Sequence, residues 1–331
     1  MTYEAFRDFH RAAKIKAIDS AGIAEAAACL RSGGLVAFPT ETVYGLAGDA
    51  TSNEAVRRIY AAKARPVKNP LIAHVASLAE GLEQGIFPPE AMRLAKAFWP
   101  GPLTLVVPLA RRATVVPAAR ADLPTIALRA PAHPIAQALI RATGRPLAAP
   151  SANRSGRVSP VTAAHVGQEL GDLVDVILDG GPCLYGLEST VIACLDGSPC
   201  LLRPGALERK DIEAVLGFGL VSPAAPTATP QAPGQLASHY APRAALRLNA
   251  RTLAPHEAGL DFGGVFGRQK NVRDLSEKRD LKEAAANLFS FLRALDALGL
   301  PGIAVAPIPH EGLGEAINDR LMRAAAPRDQ P

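Results

Sequence analysis

This chain of 331 residues has few of the features that mark secreted or membrane proteins. It has four cysteines, Cys29, Cys183, Cys194 and Cys200, none at two-residue spacing and none with a histidine at a zinc-like offset. This pattern argues against a disulfide framework or a structural metal. No uninterrupted apolar run reaches the roughly 18 residues of a membrane span, and the stretch from Met1 carries charges instead of the apolar core of a signal peptide. We therefore expect a cytoplasmic protein with no membrane partner.

Other absences narrow the class of protein further. Aromatic residues make up only 5% of the chain, and the formal net charge of +5 is mild, so neither stacking platforms nor overall charge indicates a nucleic-acid binder. The chain lacks a P-loop, a Gly-x-Gly-x-x-Gly fingerprint after a strand and a Gly-x-Ser-x-Gly elbow. Any nucleotide must therefore be bound by a less common device.

The first two thirds of the chain alternate between helical and extended patterns. Apolar residues make up 48% of the chain, and its length suits two domains. Leu35–Phe38 is predicted to form a buried strand that ends at Pro39, and a helix is predicted to begin at Asn53 and to run through Ala62. This alternation predicts an α/β domain over residues 1–218, with a twisted mixed sheet and flanking helices.

Proline interrupts residues 219–242, which contain five prolines among alanine, threonine and glutamine. Such a stretch forms neither a helix nor a central strand, so it is predicted to be a linker. Over residues 243–331, an extended pattern at Gly264–Phe266 accompanies amphipathic helices at Leu281–Leu298 and Leu313–Ala325. These patterns predict a smaller C-terminal α/β domain of the Rossmann-like kind.

Positive charge accumulates without neutralisation after the helix that begins at Asn53. No acidic residue occurs between Ala55 and Ala79, and Lys63 and Arg65 lie within this interval. The helix dipole alone also favours cations in a last turn, but the prolines that follow fix the direction of the chain there. Unneutralised cations beside a strand end suit carboxylate or phosphate. We predict an enzyme for anionic substrates.

Polar groups recur at the ends of the predicted strands, where α/β folds bind ligands. Each alone has a purely structural explanation: an ordinary turn accounts for Pro39–Leu46, and a satisfied core histidine accounts for His74. Together they place anion-compatible groups at six or more strand ends. These candidates are Thr40, His74, Arg129, Ser151, Asn153, Ser159, Ser189, Thr190 and Arg203.

In combination, these motifs resemble the YrdC-like family. The proline-rich stretch with Ser238–Pro242 resembles the long two-domain form, threonylcarbamoyl-AMP synthase. The resemblance covers about Ser20 to Ala325, and no motif position departs from the pattern. The motifs, in chain order, are Pro39–Leu46, Lys63-x-Arg65-Pro66, Asn69–Leu71, Trp99–Thr104, Arg129-x-Pro131, Ser151–Asn153, Ser189–Val191 and Arg203–Gly205.

The resemblance implies a reaction and a set of roles. L-threonine, bicarbonate (or CO2) and ATP would give L-threonylcarbamoyl-AMP and pyrophosphate, which feeds the t6A modification of tRNA. Lys63 and Arg65 would neutralise the carbamate and the phosphates, with Mg²⁺ carried by the ATP phosphates and no metal ligand from the protein. Threonine and bicarbonate would lie against Thr40, Tyr44, His74 and Arg129. The nucleotide would also contact Ser151, Asn153, Ser159, Ser189, Thr190 and Arg203.

Two further expectations follow from the resemblance. His239 and Tyr240 would form a lid over the site, although they equally suit a simple anchor for the linker. The downstream partner would be the t6A transferase machinery, together with a weak contact to tRNA. Two alternatives stay open: an RNA-binding module, and carbamoyl transfer from carbamoyl phosphate.

Overall fold

The structure of this chain, a computed structural model, describes residues 14–16, 18–195, 197–223 and 238–327. Most of the predicted linker, residues 224–237, lies outside these ranges. The described part contains two sheets, each with its own helices. We call the part with the larger sheet the first domain and the part with the smaller sheet the second domain.

A mixed sheet of ten strands forms the first domain, within the described residues. Its spatial order is β1-β8-β2-β3-β7-β4-β6-β5-β9-β10, with parallel pairs such as β4–β6 and antiparallel pairs such as β2–β3. The predicted mixed sheet is confirmed. The strands are β1 (Lys14–Lys16), β2 (Val36–Phe38), β3 (Gly45–Asp49), β4 (Ile72–His74), β5 (Leu103–Pro108), β6 (Thr125–Arg129), β7 (Leu147–Ala148), β8 (Val176–Leu178), β9 (Thr190–Ala193) and β10 (Cys200–Arg203).

Helices flank this sheet, and several begin at a hydroxyl or carboxylate cap that satisfies their first backbone N–H groups. Asp19 and Thr162 are two such caps. The first helix packs against the fifth and the fourth against the seventh. The helices are α1 (Ser20–Arg31), α2 (Asn53–Lys63), α3 (Leu78–Gln84), α4 (Pro89–Phe98), α5 (Pro134–Thr143), α6 (Ala163–Leu170) and α7 (Arg209–Leu216).

Helix α2 determines where the two predicted cations lie. The Ser52 hydroxyl accepts from Ala55 N at 3.3 Å and caps its start, and Val56 and Ile59 are buried on its inner face. The helix ends because Ala64 adopts a left-handed conformation with φ 49°. The chain therefore turns sharply between Lys63 and Arg65.

The segment Pro39–Leu46 leads from the end of β2 into the antiparallel strand β3. It is therefore not the ordinary strand-to-helix turn that would also have explained its sequence. Phe38 and Gly45 are partners in this pair. A Cβ atom at Gly45 would lie 2.9 Å from the Phe38 ring, so glycine is required at this close approach. The connection places Thr40 and its neighbours at the end of β2, beside β4 and β6.

The second domain has a four-stranded parallel sheet of order β11-β14-β12-β13. Its strands are β11 (Ala245–Arg247), β12 (Glu257–Asp261), β13 (Val272–Asp274) and β14 (Gly302–Val305). Helix α8 (Leu281–Asp296) packs on β12, and α9 (Leu313–Ala325) packs on β11. The prediction of a small α/β domain is confirmed, and both predicted helices are present.

The extended pattern predicted at Gly264–Phe266 is wrong, because these residues bend around a carboxylate. Asp261 accepts hydrogen bonds from the backbone N–H groups of Val265 and Phe266, both at 2.9 Å. Gly263 and Gly264 have φ of 72° and 79°, which strands do not use. The apolar residues here line a turn after β12.

Ion pairs and a shared apolar core join the two domains. Arg293 on α8 pairs with Glu169 on α6 at 2.5 Å, and Arg209 on α7 pairs with Glu315 on α9 at 2.5 Å. The main apolar cluster runs without interruption from the first domain into α8 and α9. The second domain is therefore packed against the first, close to the ends of the strands that carry the predicted site.

Candidate active site

A small polar cavity lies at these strand ends. The space that remains in it is about 40 Å³, room for roughly three water molecules. It is lined by residues that are distant in sequence but converge at the strand ends of the first domain and at the lid. Of the predicted site residues, those that line it are Thr40, Arg65, His74, Arg129, Ser151, Ser189, Arg203, His239 and Tyr240.

One side of the cavity, which we call the paired wall, carries a compensated cation. Arg129 Nη2 lies 2.6 Å from Glu41 Oε1, and both side chains are less than a tenth exposed. Arg129 Nη1 also donates to Thr42 Oγ1 at 2.9 Å. Burial raises the pKa of Glu41, but the Arg129 charge and hydrogen bond, together with backbone hydrogen bonds, outweigh it and leave this pKa below its ordinary value. Arg129 is therefore held in place before any ligand arrives.

Hydroxyl groups lie next to this pair. Thr40 Oγ1 donates to the carbonyl of Val43 at 2.7 Å and lies 2.8 Å from Thr42 Oγ1. It also accepts from the N–H of Thr42 at 3.1 Å. Because these bonds tie the loop to itself, both hydroxyls have fixed positions on the cavity surface.

A second group of cations, which we call the unpaired wall, consists of Arg65 at the cavity surface and Lys63 behind the Ser151 carbonyl. Lys63 Nζ donates to the carbonyls of Ser151, at 2.5 Å, and Asn153. Arg65 donates to the carbonyls of Asn69 and Pro70, at 3.2 and 2.9 Å. Neither forms an ion pair within the part of the chain that the structure describes. Lys63 and Arg65 are therefore two buried cations that repel each other, and the hydrogen-bond acceptors they contact are neutral backbone carbonyls.

The pKa values of these cations reflect that arrangement. Burial, with a further contribution from Arg65, holds the pKa of Lys63 well below its ordinary value. Burial likewise lowers the pKa of Arg65 to about 10. A bound anion would reverse both effects, because an opposite charge favours the protonated forms. The unpaired wall is therefore electrostatically suited to phosphate or carboxylate.

His74 lines the cavity from the end of β4. Its Nδ1 is 3.3 Å from the carbonyl of Ile72, and its ring meets Phe38 edge-on at 6.2 Å. Burial, reinforced by the charge of Arg129, lowers the pKa of His74 to about 3. The imidazole is therefore neutral near pH 7 and can offer a hydrogen bond but no charge.

Ser189 and Arg203 form a third polar group. Arg203 Nη2 donates to the Ser189 carbonyl at 2.9 Å, and Ser189 Oγ lies 2.8 Å from Thr104 Oγ1. Burial lowers the pKa of Arg203, which stays a cation. This group brings a further positive charge to the cavity from β10.

The lid residues His239 and Tyr240 reach the same cavity. Both are at most 5% exposed, and their rings meet edge-on at 4.1 Å. Tyr240 stacks on Phe289 of α8, with ring centroids 5.7 Å apart. Among the described residues, His239 Nδ1 and the Tyr240 hydroxyl have no hydrogen-bond partner. Two polar atoms at a cavity are thus left for a ligand.

Five predicted site residues do not line the cavity. The Tyr44 hydroxyl donates to Gly181 O at 2.8 Å and accepts from Gly180 N at 3.1 Å. Thr190 bonds to Leu207, and Lys63 lies behind the Ser151 carbonyl. Asn153 and Ser159 are also buried behind the surface, with Asn153 Oδ1 unpartnered among the described residues.

Several residues of the site were missed from sequence. Glu41 and Thr42 lie in the recognised segment Pro39–Leu46, where the sequence offers the Thr42 hydroxyl beside that of Thr40, but nothing in the pattern says that Glu41 and Thr42 contact Arg129. Glu188 lines the cavity and immediately precedes the recognised Ser189. Arg320 lies in the second domain, where no motif pointed to the site. Proximity to a motif could have found the first three, whereas the last required the tertiary structure.

Within the described ranges, no group of three or more His, Cys, Asp or Glu side chains is placed to hold a metal ion. Among the same residues, no helix is long and apolar enough to cross a membrane. The charged groups at the cavity are thus mainly cations, with Glu41 and Glu188 each already engaged by an arginine. The arrangement favours an anionic, oxygen-rich small molecule.

Fold and site together define a two-domain α/β protein with a cavity for anionic small molecules at its strand ends. The family model described as "Telomere recombination" (Sua5/YciO/YrdC) matches residues 28–205, and the model described as "Threonylcarbamoyl-AMP synthase, C-terminal domain" matches residues 207–326. The chain belongs to the Sua5/YciO/YrdC family, in its two-domain threonylcarbamoyl-AMP synthase form. The resemblance identified from sequence is confirmed.

Curated relatives agree with this assignment over almost the whole chain. The threonylcarbamoyl-AMP synthase of Bacillus subtilis (strain 168) is 42% identical over 325 residues, which cover 92% of this chain and 93% of that protein. The threonylcarbamoyl-AMP synthase of Pyrococcus abyssi is 42% identical over 322 residues, with 92% and 94% covered.

Solved structures of P. abyssi Sua5 are similar to this chain. The crystal structure of P. abyssi Sua5 complexed with L-threonine has a TM-score of 0.86 at 38% identity and covers 95% of this chain and 97% of that chain. A variant of P. abyssi Sua5, in which a histidine and the following tyrosine are replaced by alanine, has a TM-score of 0.87 at 37% identity and covers 95% and 96%.

Proposed function

We propose that this chain is an L-threonylcarbamoyladenylate synthase, which converts L-threonine, bicarbonate and ATP into L-threonylcarbamoyl-AMP and pyrophosphate as the first step of tRNA t6A synthesis. The observation that carries this proposal is the unpaired wall, where Lys63 and Arg65 are buried without a carboxylate partner among the described residues. Buried cations of this kind need an anion, and the relatives over almost the whole chain are named for this activity. We take residues 1–218 as the catalytic domain, 219–242 as the linker and 243–331 as the second domain.

The paired wall is the place we propose for threonine and bicarbonate. Arg129, Thr40 and His74 line it, and Arg129 is oriented by Glu41. A guanidinium fits a carboxylate or a carbamate, and the neutral His74 can contact the threonine hydroxyl or amine. The Tyr44 hydroxyl is already used by Gly180 and Gly181, so we give Tyr44 the indirect role of fixing that loop.

The nucleotide phosphates lie, in this proposal, against Arg65 and Arg203, with the charge of Lys63 directly behind the Ser151 carbonyl. The threonine amine is first carboxylated by bicarbonate, whose carbon forms the C–N bond as water is lost, and an oxygen of the resulting carbamate then attacks the α-phosphorus of ATP. The bond from this phosphorus to the bridging oxygen breaks, and pyrophosphate leaves with that oxygen. Such a step needs positioning and charge neutralisation more than a covalent nucleophile. The remaining nucleotide contacts are assigned to Ser151 and Ser189, which line the cavity, while Asn153, Ser159 and Thr190 support its wall from behind.

Mg²⁺ enters this proposal with ATP, as a companion of its phosphates. The carboxylate that lines the cavity, Glu188, already accepts from Ser159 and Arg320, at 2.5 and 2.8 Å. It is therefore poorly placed to serve as a metal ligand. When bound, the metal ion would help to neutralise the leaving pyrophosphate.

The lid is the second part of the proposal. His239 and Tyr240 form the one His-Tyr pair of the sequence, and we take it as the counterpart of the pair replaced in the P. abyssi variant. Closure would keep water away from a labile mixed anhydride. We predict that Tyr240→Ala raises hydrolysis of ATP to AMP without product. An unchanged yield of threonylcarbamoyl-AMP per ATP, measured by chromatography, would leave the anchor role instead.

Partners and location complete the proposal. The product passes to the t6A transferase machinery in the cytoplasm, and exposed cations such as Arg57 and Lys68 make a weak contact with tRNA. Such a contact is electrostatic, so its affinity falls steeply with salt. Filter binding of tRNA across a salt series tests it independently of turnover.

Release of pyrophosphate from ATP tests the central claim. We expect release by the wild type only when both L-threonine and bicarbonate are present, and we expect Lys63→Ala to abolish it. Release that is indifferent to threonine would instead favour carbamoyl transfer or another nucleotide-cleaving activity. No release under any condition would favour RNA binding.

A further inference from the structure

A fully buried arginine on the second domain reaches the candidate active site. Arg320, on α9, is 0% exposed and is the largest of the fully buried side chains in the described part of the chain. Burying a guanidinium is costly unless it is well paired, and an apolar residue often serves stability equally well. The presence of Arg320 therefore calls for a role beyond the packing of α9.

Arg320 contacts both the wall of the cavity and the lid. Its Nε donates to Glu188 Oε2 at 2.8 Å, and its Nη1 donates to Asp319 Oδ2 at 2.6 Å. Its guanidinium carbon lies 5.0 Å from the centre of the Tyr240 ring, within the range of a cation–π contact. Glu188 and Tyr240 line the cavity, whereas Arg320 lies behind them. One side chain therefore joins the first domain, the lid and the second domain.

The position of Tyr240 depends on contacts of this kind. Its φ is 62°, a left-handed conformation that a bulky residue adopts only when its surroundings enforce it. Its hydroxyl has no hydrogen-bond partner among the described residues. The ring stacks on Phe289, lies against the guanidinium of Arg320 and meets the His239 ring edge-on. The first two contacts come from the second domain.

Glu188 gives Arg320 a rigid support. The other carboxylate oxygen of Glu188 accepts from Ser159 Oγ at 2.5 Å. Burial raises the pKa of Glu188, but the charges of Arg320 and Arg203, together with the hydrogen bonds from Ser159 and Arg320, outweigh it and leave this pKa below its ordinary value. Glu188 therefore stays ionised and holds the guanidinium against the Tyr240 ring.

We propose that Arg320 is a positioning residue that latches Tyr240 in the cavity and thereby sets how readily the site opens to ATP. The ligand named here rests on the proposed function. With Tyr240 in place the cavity measures about 40 Å³, and ATP does not fit in it. Tyr240 must leave before ATP enters, so the apparent affinity for ATP equals the intrinsic affinity multiplied by the fraction of molecules in which Tyr240 is released, and the latch keeps that fraction small.

Proteolysis of the ligand-free, full-length protein tests the latch directly. Chymotrypsin cleaves after tyrosine only where the chain is accessible, so cleavage after Tyr240, followed by mass spectrometry, reports its release. We expect Arg320→Met to be cleaved about tenfold faster than the wild type, as loss of a desolvated cation–π contact implies. A rate equal to that of the wild type would overturn the proposal.

Arg293→Met is the matched control. Arg293 is also a largely buried arginine between the domains, but it contacts Glu169 and the carbonyls of Val158 and Ser159 instead of the lid. We expect this variant to be cleaved after Tyr240 at close to the wild-type rate. An equal acceleration in both variants would mean that a loosened domain interface, and not a latch, exposes Tyr240.

Binding of ATP, measured by calorimetry without threonine, gives a readout that simple damage would not produce. We expect Arg320→Met to bind ATP about three- to tenfold more tightly than the wild type, since opening becomes easier. A damaged site would bind ATP more weakly. Unchanged or weaker binding by a folded Arg320→Met protein would overturn the proposal.

Two further variants guard against a folding defect. Arg320→Met leaves Glu188 buried and unpaired, so Arg320→Met combined with Glu188→Gln removes both charges and should still show fast cleavage after Tyr240. Arg320→Lys keeps the charge beside Glu188 but lacks the planar face and should be intermediate. The cleavage assay needs no substrate, so it tests the latch independently of the proposed function. If the wild type showed no threonine-dependent release of pyrophosphate, the proposed function would be wrong, and the rate of cleavage after Tyr240 would still decide whether the latch exists.

Discussion

The two walls of the cavity treat buried positive charge in opposite ways. On the paired wall, Arg129 is matched by Glu41 at 2.6 Å and by the Thr42 hydroxyl at 2.9 Å. On the unpaired wall, Lys63 and Arg65 bond to backbone carbonyls alone. The side chains of both walls are buried and carry positive charge, but only on the paired wall does a carboxylate neutralise that charge before a ligand binds.

This difference separates residues that support the fold from residues that wait for a substrate. A buried ion pair with both partners present is broken at a large cost to stability. A buried cation without a counter-ion gives up stability in the free protein and recovers it when an anion binds. We therefore expect the paired wall to respond to mutation through stability and the unpaired wall through activity.

The largest effect is expected at the unpaired wall. Lys63→Met should lower threonine-dependent pyrophosphate release by about a thousandfold, as removal of a preorganised charge-stabilising group does. Its free energy of unfolding should stay within about 1 kcal/mol of the wild type, because the lost contacts to two carbonyls are offset by removal of a buried charge. Steady-state kinetics and denaturant unfolding measure the two quantities. Arg57→Met, exposed on the same helix, should change neither, and a marked loss of stability in Lys63→Met would contradict the comparison.

The next effect is expected at the paired wall. Glu41→Gln leaves the Arg129 charge buried without its counter-ion, so unfolding free energy should fall by about 3–5 kcal/mol. Urea unfolding followed by circular dichroism would measure this loss. Glu277→Gln breaks the exposed pair with Arg268, 2.9 Å apart, and should produce no measurable change. If both variants were equally stable, the paired wall would have no special role in the fold.

The smallest effect concerns the pH dependence of stability, through His74 at the cavity surface. Burial and Arg129 lower its pKa to about 3, while an unfolded histidine has a pKa near 6.5. The unfolded chain therefore binds the extra proton between these values, so the stability due to a neutral His74 is complete above about pH 6.5 and is lost as pH falls. His74→Leu should reduce the slope of unfolding free energy against pH, between about pH 4 and 6, by up to about 1.4 kcal/mol per unit.

Denaturant unfolding at a series of pH values would measure this slope. His310→Gln, at an exposed position, is the control and should leave the slope unchanged. A slope in His74→Leu equal to that of the wild type would mean that this imidazole is protonated in the folded protein. It would then add a further cation to the cavity.

Local pattern predicted much of the fold and about half of the cavity. Thr40 and Arg129 were found because polar residues directly after buried apolar runs stand at strand ends, where a sheet exposes its ligand crevice. Arg65 was found because a run without acidic residues follows a capped helix. Each of these signals is contained in a few consecutive residues, so it can be recognised without knowing the tertiary structure.

The sequence by itself determined the alternation of elements, the two domains and the set of polar strand ends, because these follow from periodicity and turn chemistry over short spans. Only the tertiary structure decided which charges meet. Arg129 and Glu41 are 88 residues apart, and Arg320 and Glu188 are 132 apart. Such partners are chosen by the order of strands in the sheet and by the docking of one domain on the other, and no local pattern contains either. The division of the cavity into a paired and an unpaired wall is therefore a property of the fold.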